Sequence, residues 1–185
     1  MAFQIVKKWA TIGCVALIAV VGLARYSRAQ NSGYASFYCG THGGKPATIA
    51  DHPVRGDITL IVWQSPYFID AGYDPQTRCD AVSKRFQHFQ SKGTLSKIAP
   101  GTTNNQPVLC AIGKLNNYTG NCPDPNVLMT LKPGDDAQAM VNQIGELNTN
   151  NSTDYIEHSA SIFEKYGDMT VLNINVMLDY SQPAK

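Results

Sequence analysis

The chain has 185 residues, of which 43% are apolar and 16% are charged, and this composition suits one domain with a substantial core. The formal net charge is +1, but four of the basic residues lie within the first 29 residues, which contain no acid. The rest of the chain is mildly acidic and has no basic stripe, so nucleic acid is excluded as an expected partner.

Residues 1–29 are predicted to be a signal peptide. Two lysines precede an apolar run at 9–24, and the small residues Ser27 and Ala29 stand at the positions that a signal peptidase recognises. We therefore expect cleavage after Ala29 and an exported, extracytoplasmic domain of residues 30–185. An uncleaved N-terminal anchor is the alternative, because the run is long for a signal peptide and short for a full membrane span.

Four cysteines lie in the expected mature chain: Cys39, Cys79, Cys110 and Cys122. An oxidising compartment favours two disulfides, and four cysteines allow three pairings. We prefer Cys39–Cys79, which would tie the first strand to a helix, and Cys110–Cys122, which would clip one loop. A zinc site is disfavoured, because the chain has no Cys-x-x-Cys pair and no histidine at ligand spacing from a cysteine. We expect no metal and no cofactor.

The first part of the domain is predicted to form strands. Residues 34–40 alternate in polarity, and residues 47–53 form a short strand that ends at a proline. The strongest strand is 57–65, where apolar residues point to both faces. We therefore expect 57–65 to be central in its sheet.

A helix is predicted between Asp74 and Gly93. Asp74 followed by proline is a typical helix start, and glycine is a typical stop. The predicted buried stripe, at intervals of three and four residues, consists of Cys79, Val82, Phe86 and Phe89. The side that carries Ser83, Lys84 and His88 is expected to be a solvated face.

The second half of the domain is predicted to add strands and helices. The expected strands are 94–100 and 106–113, which form a hairpin, then 127–133 and 169–180; the expected helices are one capped by Asp135 and one at 155–166. The fold class that follows is α+β, with a mainly antiparallel sheet of about five or six strands, two or three packed helices and two disulfides.

A candidate partner surface lies around the start of the predicted helix. Tyr67 and Tyr73 stand in the loop before it, and Arg78 and Arg85 lie on one side of it. Tyrosines and arginines of this kind can recognise a partner. The simpler interpretation, which we prefer, is that Phe68 fills the core with the tyrosines packed over its edge. The arginines would then pair with Asp70, Asp74 or Asp80.

No catalytic motif is present in the sequence. The serine-hydrolase elbow, the glycine-rich nucleotide loops and the zinc-protease motif are all missing, and the histidines are dispersed. We expect a non-catalytic domain. The alternative is an extracytoplasmic hydrolase whose site assembles around His88 or His158 with a nearby carboxylate.

Five segments in this order resemble the circadian oscillating polypeptide family of cyanobacteria: SFYCG, ITLIVWQSPYF, GYDPQTRCDAVSKRFQ, QPVLCAIG and CPDPNVLMTLKPGDD. The resemblance covers about residues 36–136 and is loose beyond Asp136. It implies an exported or membrane-associated cyanobacterial protein, in the periplasm, the thylakoid lumen or at the cell surface. The partner would be a protein or a membrane surface, and the resemblance implies no activity, cofactor or catalytic residue.

Overall fold

The computed structural model describes residues 35–114, 118–149 and 161–181, which all belong to one compact unit spanning 31–185. The predicted signal peptide and His158 lie outside the described residues. The elements are β1 Ser36–His42, β2 Lys45–His52, β3 Gly56–Val62, α1 Pro75–Ser91, β4 Lys97–Thr103, β5 Gln106–Ile112, a 3-10 turn Asp124–Asn126, β6 Val127–Thr130, α2 Ala137–Thr149, β7 Phe163–Tyr166, β8 Met169–Asn173 and α3 Ile174–Tyr180.

The strands form two antiparallel sheets. One has the order β1-β2-β3, and the other has the order β6-β5-β4-β8-β7. Three helices pack with them, and no helix in the described ranges has both the length and the hydropathy to cross a bilayer. The predicted α+β class with antiparallel pairing is confirmed, although the strands are divided over two sheets.

Both predicted disulfides are confirmed. Cys39 in β1 is bonded to Cys79 in α1, with 5.5 Å between their Cα atoms. Cys110 in β5 is bonded to Cys122 in the loop that follows, with 5.9 Å between Cα atoms. Each bridge therefore fastens an element of one sheet to a neighbouring segment.

Strand β3 is not central, as its apolar sequence had suggested, but lies at the edge of its sheet, and β2 is the central strand. Ile58 and Leu60 are buried in the core on one face, and Ile61 packs half-buried against the same core from the other. Helix α2 packs beside β3. Apolar residues on both faces of a strand show that other elements cover both faces. They do not require a neighbouring strand at each of its two edges.

Helix α1 begins as predicted, since the Asp74 carboxylate accepts a hydrogen bond from the Thr77 amide at 2.7 Å. The predicted stripe is buried, and the Phe86 ring lies 5.3 Å from that of Phe37. Ser83 corrects the prediction of a solvated face, because it is 2% exposed. It lies beside the stripe and faces β2, where its hydroxyl contacts Thr48.

The start of α2 differs from the prediction by one residue. The Asp136 carboxylate accepts hydrogen bonds from the amides of Gln138 and Ala139, at 2.8 and 3.1 Å, so Asp136 is the capping residue. The Asp135 carboxylate instead accepts from the Lys132 amide at 3.2 Å. The first of the two aspartates thus closes the turn before the helix.

The end of the chain corrects two predictions. Residues 163–166 of the predicted helix form β7, which pairs with β8. The predicted strand 169–180 ends at Asn173, whose side chain caps α3 by accepting from the Val176 amide at 3.3 Å. The buried residues of α3 are Ile174, Met177 and Leu178, a helical spacing that the alternation of apolar residues had concealed.

Candidate binding groove

A groove lies between the ends of β3 and β6, with α2 along one side. Its larger part has a volume of about 500 Å³, and Val62, Arg78, Thr130, Lys132 and Met140 are among the residues that line it. Its smaller part, of about 260 Å³, adds Tyr73 and Arg85. The two parts share Trp63, Phe68, Arg78, Met129 and Thr130. They therefore meet at Arg78, and both volumes together are called the groove here.

Arg78 is held at the centre of the groove by aromatic rings. Its guanidinium carbon lies 5.3 Å from the centroid of the Trp63 ring and 5.6 Å from that of Phe68. Its Nη2 donates to the carbonyl of Ser65, while its Nε is buried without a hydrogen-bond partner. Burial lowers the pKa of Arg78, and the Asp74 carboxylate partly opposes that shift. The group remains a partly desolvated cation.

Arg85 is held in place two turns further along α1. Its Nη1 donates to the carbonyl of Leu128 in β6 at 3.2 Å, and the side chain is otherwise exposed. The two arginines thus fasten α1 to two different segments through backbone carbonyls. Each keeps further N–H groups that can form charge-assisted bonds to an anion.

Among the described residues, no direct ion pair joins these arginines to Asp70, Asp74 or Asp80, although the Asp74 carboxylate attracts Arg78. In the described ranges, the ion pairs between a lysine or arginine and a carboxylate are Lys97–Glu164 and Lys132–Asp135. The aspartates of the α1 region have other roles, since Asp74 caps the helix and Asp80 accepts from Gln76. The Asp74 carboxylate therefore acts on Arg78 only through its charge, while its oxygen accepts the capping bond.

The loop before α1 presents two aromatic side chains to solvent. Tyr67 is 54% exposed and Tyr73 is 53% exposed. Tyr67 packs edge-on against the half-buried Phe68 with 4.8 Å between ring centroids, and the Lys132 ammonium lies 5.9 Å from the Tyr67 ring. The loop is internally bonded, with the Tyr73 amide donating to the Phe68 carbonyl at 2.9 Å. The tyrosines therefore extend outward rather than only covering the core.

The structure places the four residues of the predicted partner surface at one groove. Tyr73, Arg78 and Arg85 line the groove, and Tyr67 stands on Phe68 at its rim. Trp63 and Lys132 also line the groove, although neither was predicted as part of this surface. The sequence contained little indication that these two residues belong to the groove. Trp63 looked like a core residue, and Lys132 follows a strand that is distant in sequence from the loop before α1.

Among the described residues, His88 does not form the hydrolase site that was considered as an alternative, and His158, the other candidate, lies outside them. His88 is exposed, and its ring packs on Phe89 at 5.6 Å. A shallow depression separates it from Asp124, whose carboxylate accepts from Thr103 at 2.7 Å. No hydrogen bond joins His88 to a carboxylate among the described residues.

His52 does meet a carboxylate, which sequence analysis missed because the partner is 127 residues away. Its Nε2 lies 3.2 Å from the Asp179 carboxylate. Its Nδ1 accepts from the amides of Val54 and Arg55 at 3.4 and 3.1 Å, which places the proton on Nε2. With both ring nitrogens engaged, His52 fastens the end of β2 to α3.

Fold and groove together define a disulfide-bonded α+β domain with an aromatic and cationic groove. The family model of the circadian oscillating protein COP23 matches residues 36–179, and the chain belongs to this family. The match continues past Asp136, where the sequence resemblance was loose, so α2 and the last strands lie within the family region. No curated protein and no solved structure matches the chain.

Proposed function

We propose that the protein is an exported, non-catalytic domain that binds a protein or membrane-surface partner through the groove. The observation that carries the proposal is the convergence of Tyr67, Tyr73, Arg78 and Arg85 on one concave surface. Tyrosine, tryptophan and arginine contribute most of the energy at protein interfaces. A cation that forms no direct ion pair, beside exposed aromatic rings, is suited to such contacts.

Two features support export. Residues 1–29 have the pattern of a signal peptide, and the two disulfides require an oxidising compartment to persist. The family resemblance supports a cyanobacterial source and a place in the periplasm, the thylakoid lumen or at the cell surface. A membrane-peripheral position follows from the same resemblance.

The test is affinity capture of the C-terminally tagged full chain, produced in a cyanobacterium and followed through cell fractionation. The double variant Tyr67→Ala/Tyr73→Ala should lose the captured partner. Tyr38→Ala is the matched control, because Tyr38 is a 40% exposed aromatic residue on β1, the opposite edge strand of the sheet from β3. Capture that survives loss of both tyrosines would contradict this surface, and reduced thiols in the purified protein would contradict export.

A further inference from the structure

The groove contains an open edge of β3. Trp63 donates its amide to the carbonyl of Pro46 in β2 at 2.9 Å, and Val62 is the residue next to Trp63. Backbone N–H and C=O groups alternate in direction along a strand, so those of Val62 point away from β2. β3 is an edge strand, and Val62 lines the groove. An unpaired donor and acceptor therefore face the cavity.

The opposite wall contains a second open edge, that of β6. Leu131 donates its amide to the carbonyl of Pro107 at 2.8 Å, so the backbone groups of Thr130 point away from β5. The bond from Arg85 to the outward carbonyl of Leu128 agrees with this alternation. β6 is the edge strand of the five-stranded sheet, and Thr130 lines the groove.

Charge distinguishes the two parts of the groove. The smaller part is lined by Arg78 and Arg85 and by no acidic residue. The larger part combines Lys132 with Asp135 and Asp136, which serve the turn and cap at the start of α2. An occupant with an anionic group would place it between the arginines. Its remaining length would run along the strand edges.

We propose that the groove binds an extended peptide that carries a carboxylate. The peptide backbone pairs with the open strand edges at Val62 and Thr130, and the carboxylate binds Arg78 and Arg85. Edge pairing gives a peptide affinity through its backbone, and side-chain pockets give specificity. A lipid offers an anion but no regularly spaced amides for these edges. This inference rests on the proposed binding function and names its ligand class.

Four pools of fluorescent peptides, each about eight residues long with alternating apolar and polar positions, provide the probes. The first ends in a free carboxylate and has no acidic side chain, and the second is amidated and carries one glutamate. The third replaces that glutamate by glutamine, and the fourth keeps glutamate but is N-methylated at alternate amides. Anisotropy should show binding of the first or second pool, at least about tenfold tighter than the third and fourth.

The protein variants test the anchoring residues. Arg78→Gln and Arg85→Gln should each remove the preference for a carboxylate, measured as the affinity of the first or second pool relative to that of the third. Arg55→Gln is the matched control, because Arg55 lies in the turn at the other end of β3 and should leave the preference intact. If near-UV circular dichroism shows that Arg78→Gln does not fold, the Arg85→Gln variant alone provides the test, because Arg85 is exposed. Slower amide exchange at Val62 or Thr130 on peptide binding should confirm edge pairing.

Several results would overturn the inference. These are binding of neither carboxylate pool more tightly than the glutamine pool, binding of the N-methylated pool as tight as that of the tighter carboxylate pool, and unchanged exchange at both edge amides. Arg78-dependent sedimentation with vesicles of phosphatidylglycerol and phosphatidylcholine would assign the anion site to lipid instead. If tyrosine-dependent capture succeeds while every peptide pool fails, the binding function stands and the peptide assignment falls. If capture fails as well, both fall.

Discussion

Ser83 in α1 donates its hydroxyl to the hydroxyl of Thr48 in β2, 3.0 Å away, and both side chains are buried. The indole nitrogen of Trp63 donates to the same Thr48 oxygen at 3.0 Å. One buried oxygen thus joins a helix, a central strand and the aromatic floor of the groove. The position of Trp63, and therefore of Arg78 above it, depends on this small polar cluster.

Replacing Thr48 by Val should lower the free energy of unfolding by about 1 to 3 kcal/mol, because Trp63 and Ser83 each lose a buried partner. Ser83→Ala should cost about 1 kcal/mol, since Thr48 keeps its bond from Trp63. Ser91→Ala, at an exposed position of the same helix, is the control and should change stability by less than about 0.5 kcal/mol. Urea denaturation measures all three. Equal effects for Ser83 and Ser91 would contradict the buried cluster.

Non-reducing peptide mapping should recover Cys39 with Cys79 and Cys110 with Cys122. The bridges close segments with sequence separations of 40 and 12 residues. The chain-entropy model then predicts losses of about 4 kcal/mol for Cys39→Ala/Cys79→Ala and about 3 kcal/mol for Cys110→Ala/Cys122→Ala. In the presence of a reductant, the free energies of unfolding of the variants and the parent protein should differ much less. A Cys39–Cys110 peptide would refute the pairing.

Phe86→Ala should lower the free energy of unfolding by about 3 to 5 kcal/mol, because Phe86 is fully buried and packs against Phe37. His88→Ala, two residues along the same helix, should cost less than about 0.5 kcal/mol because His88 is exposed. Thermal and denaturant unfolding provide the comparison. A large loss with His88→Ala would mean that this side chain has a role beyond the solvated helix face.

Tyr118 should make stability depend on pH in the alkaline range. Burial raises its pKa from 10.0 to about 12, and its hydroxyl donates to the carbonyl of Pro100 at 2.8 Å. The folded protein therefore keeps this proton to higher pH than the unfolded chain, and stability falls as pH rises from 10.0 to about 12.

Spectrophotometric titration of phenolate absorbance should show that Tyr118→Phe removes one late-titrating component. The same variant should lose less stability than the parent protein across this pH window. Tyr67→Phe is the control, because Tyr67 is a more exposed phenol at the groove rim. Burial also raises the pKa of Tyr38 to about 12, so Tyr38 should remain as a second late component in the variant. An unchanged number of late-titrating phenols after Tyr118→Phe would exclude Tyr118 as a source.

Much of the fold could be predicted because local signals agreed with tertiary packing. Asp74, Pro75 and Gly93 mark the bounds of α1, and the hairpin turn falls at Asn104 and Asn105, whose φ angles of 47° and 60° suit asparagine. The bridge pairing followed from where the strands and the helix lie. These features depend on short stretches of chain.

The misplaced elements had ambiguous local patterns. The apolar residues after Asn173 satisfy a period of two as well as a helical period, and only the cap at Asn173 distinguishes them. Ser83 looked polar and exposed, but its partner Thr48 lies 35 residues away. The groove likewise depends on Lys132 and the β6 edge approaching β3. No pattern in a single sequence shows that two segments so far apart in the chain come into contact.

The two bridges do not overlap along the chain. Cys39 pairs with the next cysteine, Cys79, before Cys110 and Cys122 pair with each other. In a chain delivered N-terminus first, the only earlier thiol of the domain that Cys79 meets is its native partner. Pairing in order of appearance therefore gives the native connectivity without any exchange of bridges.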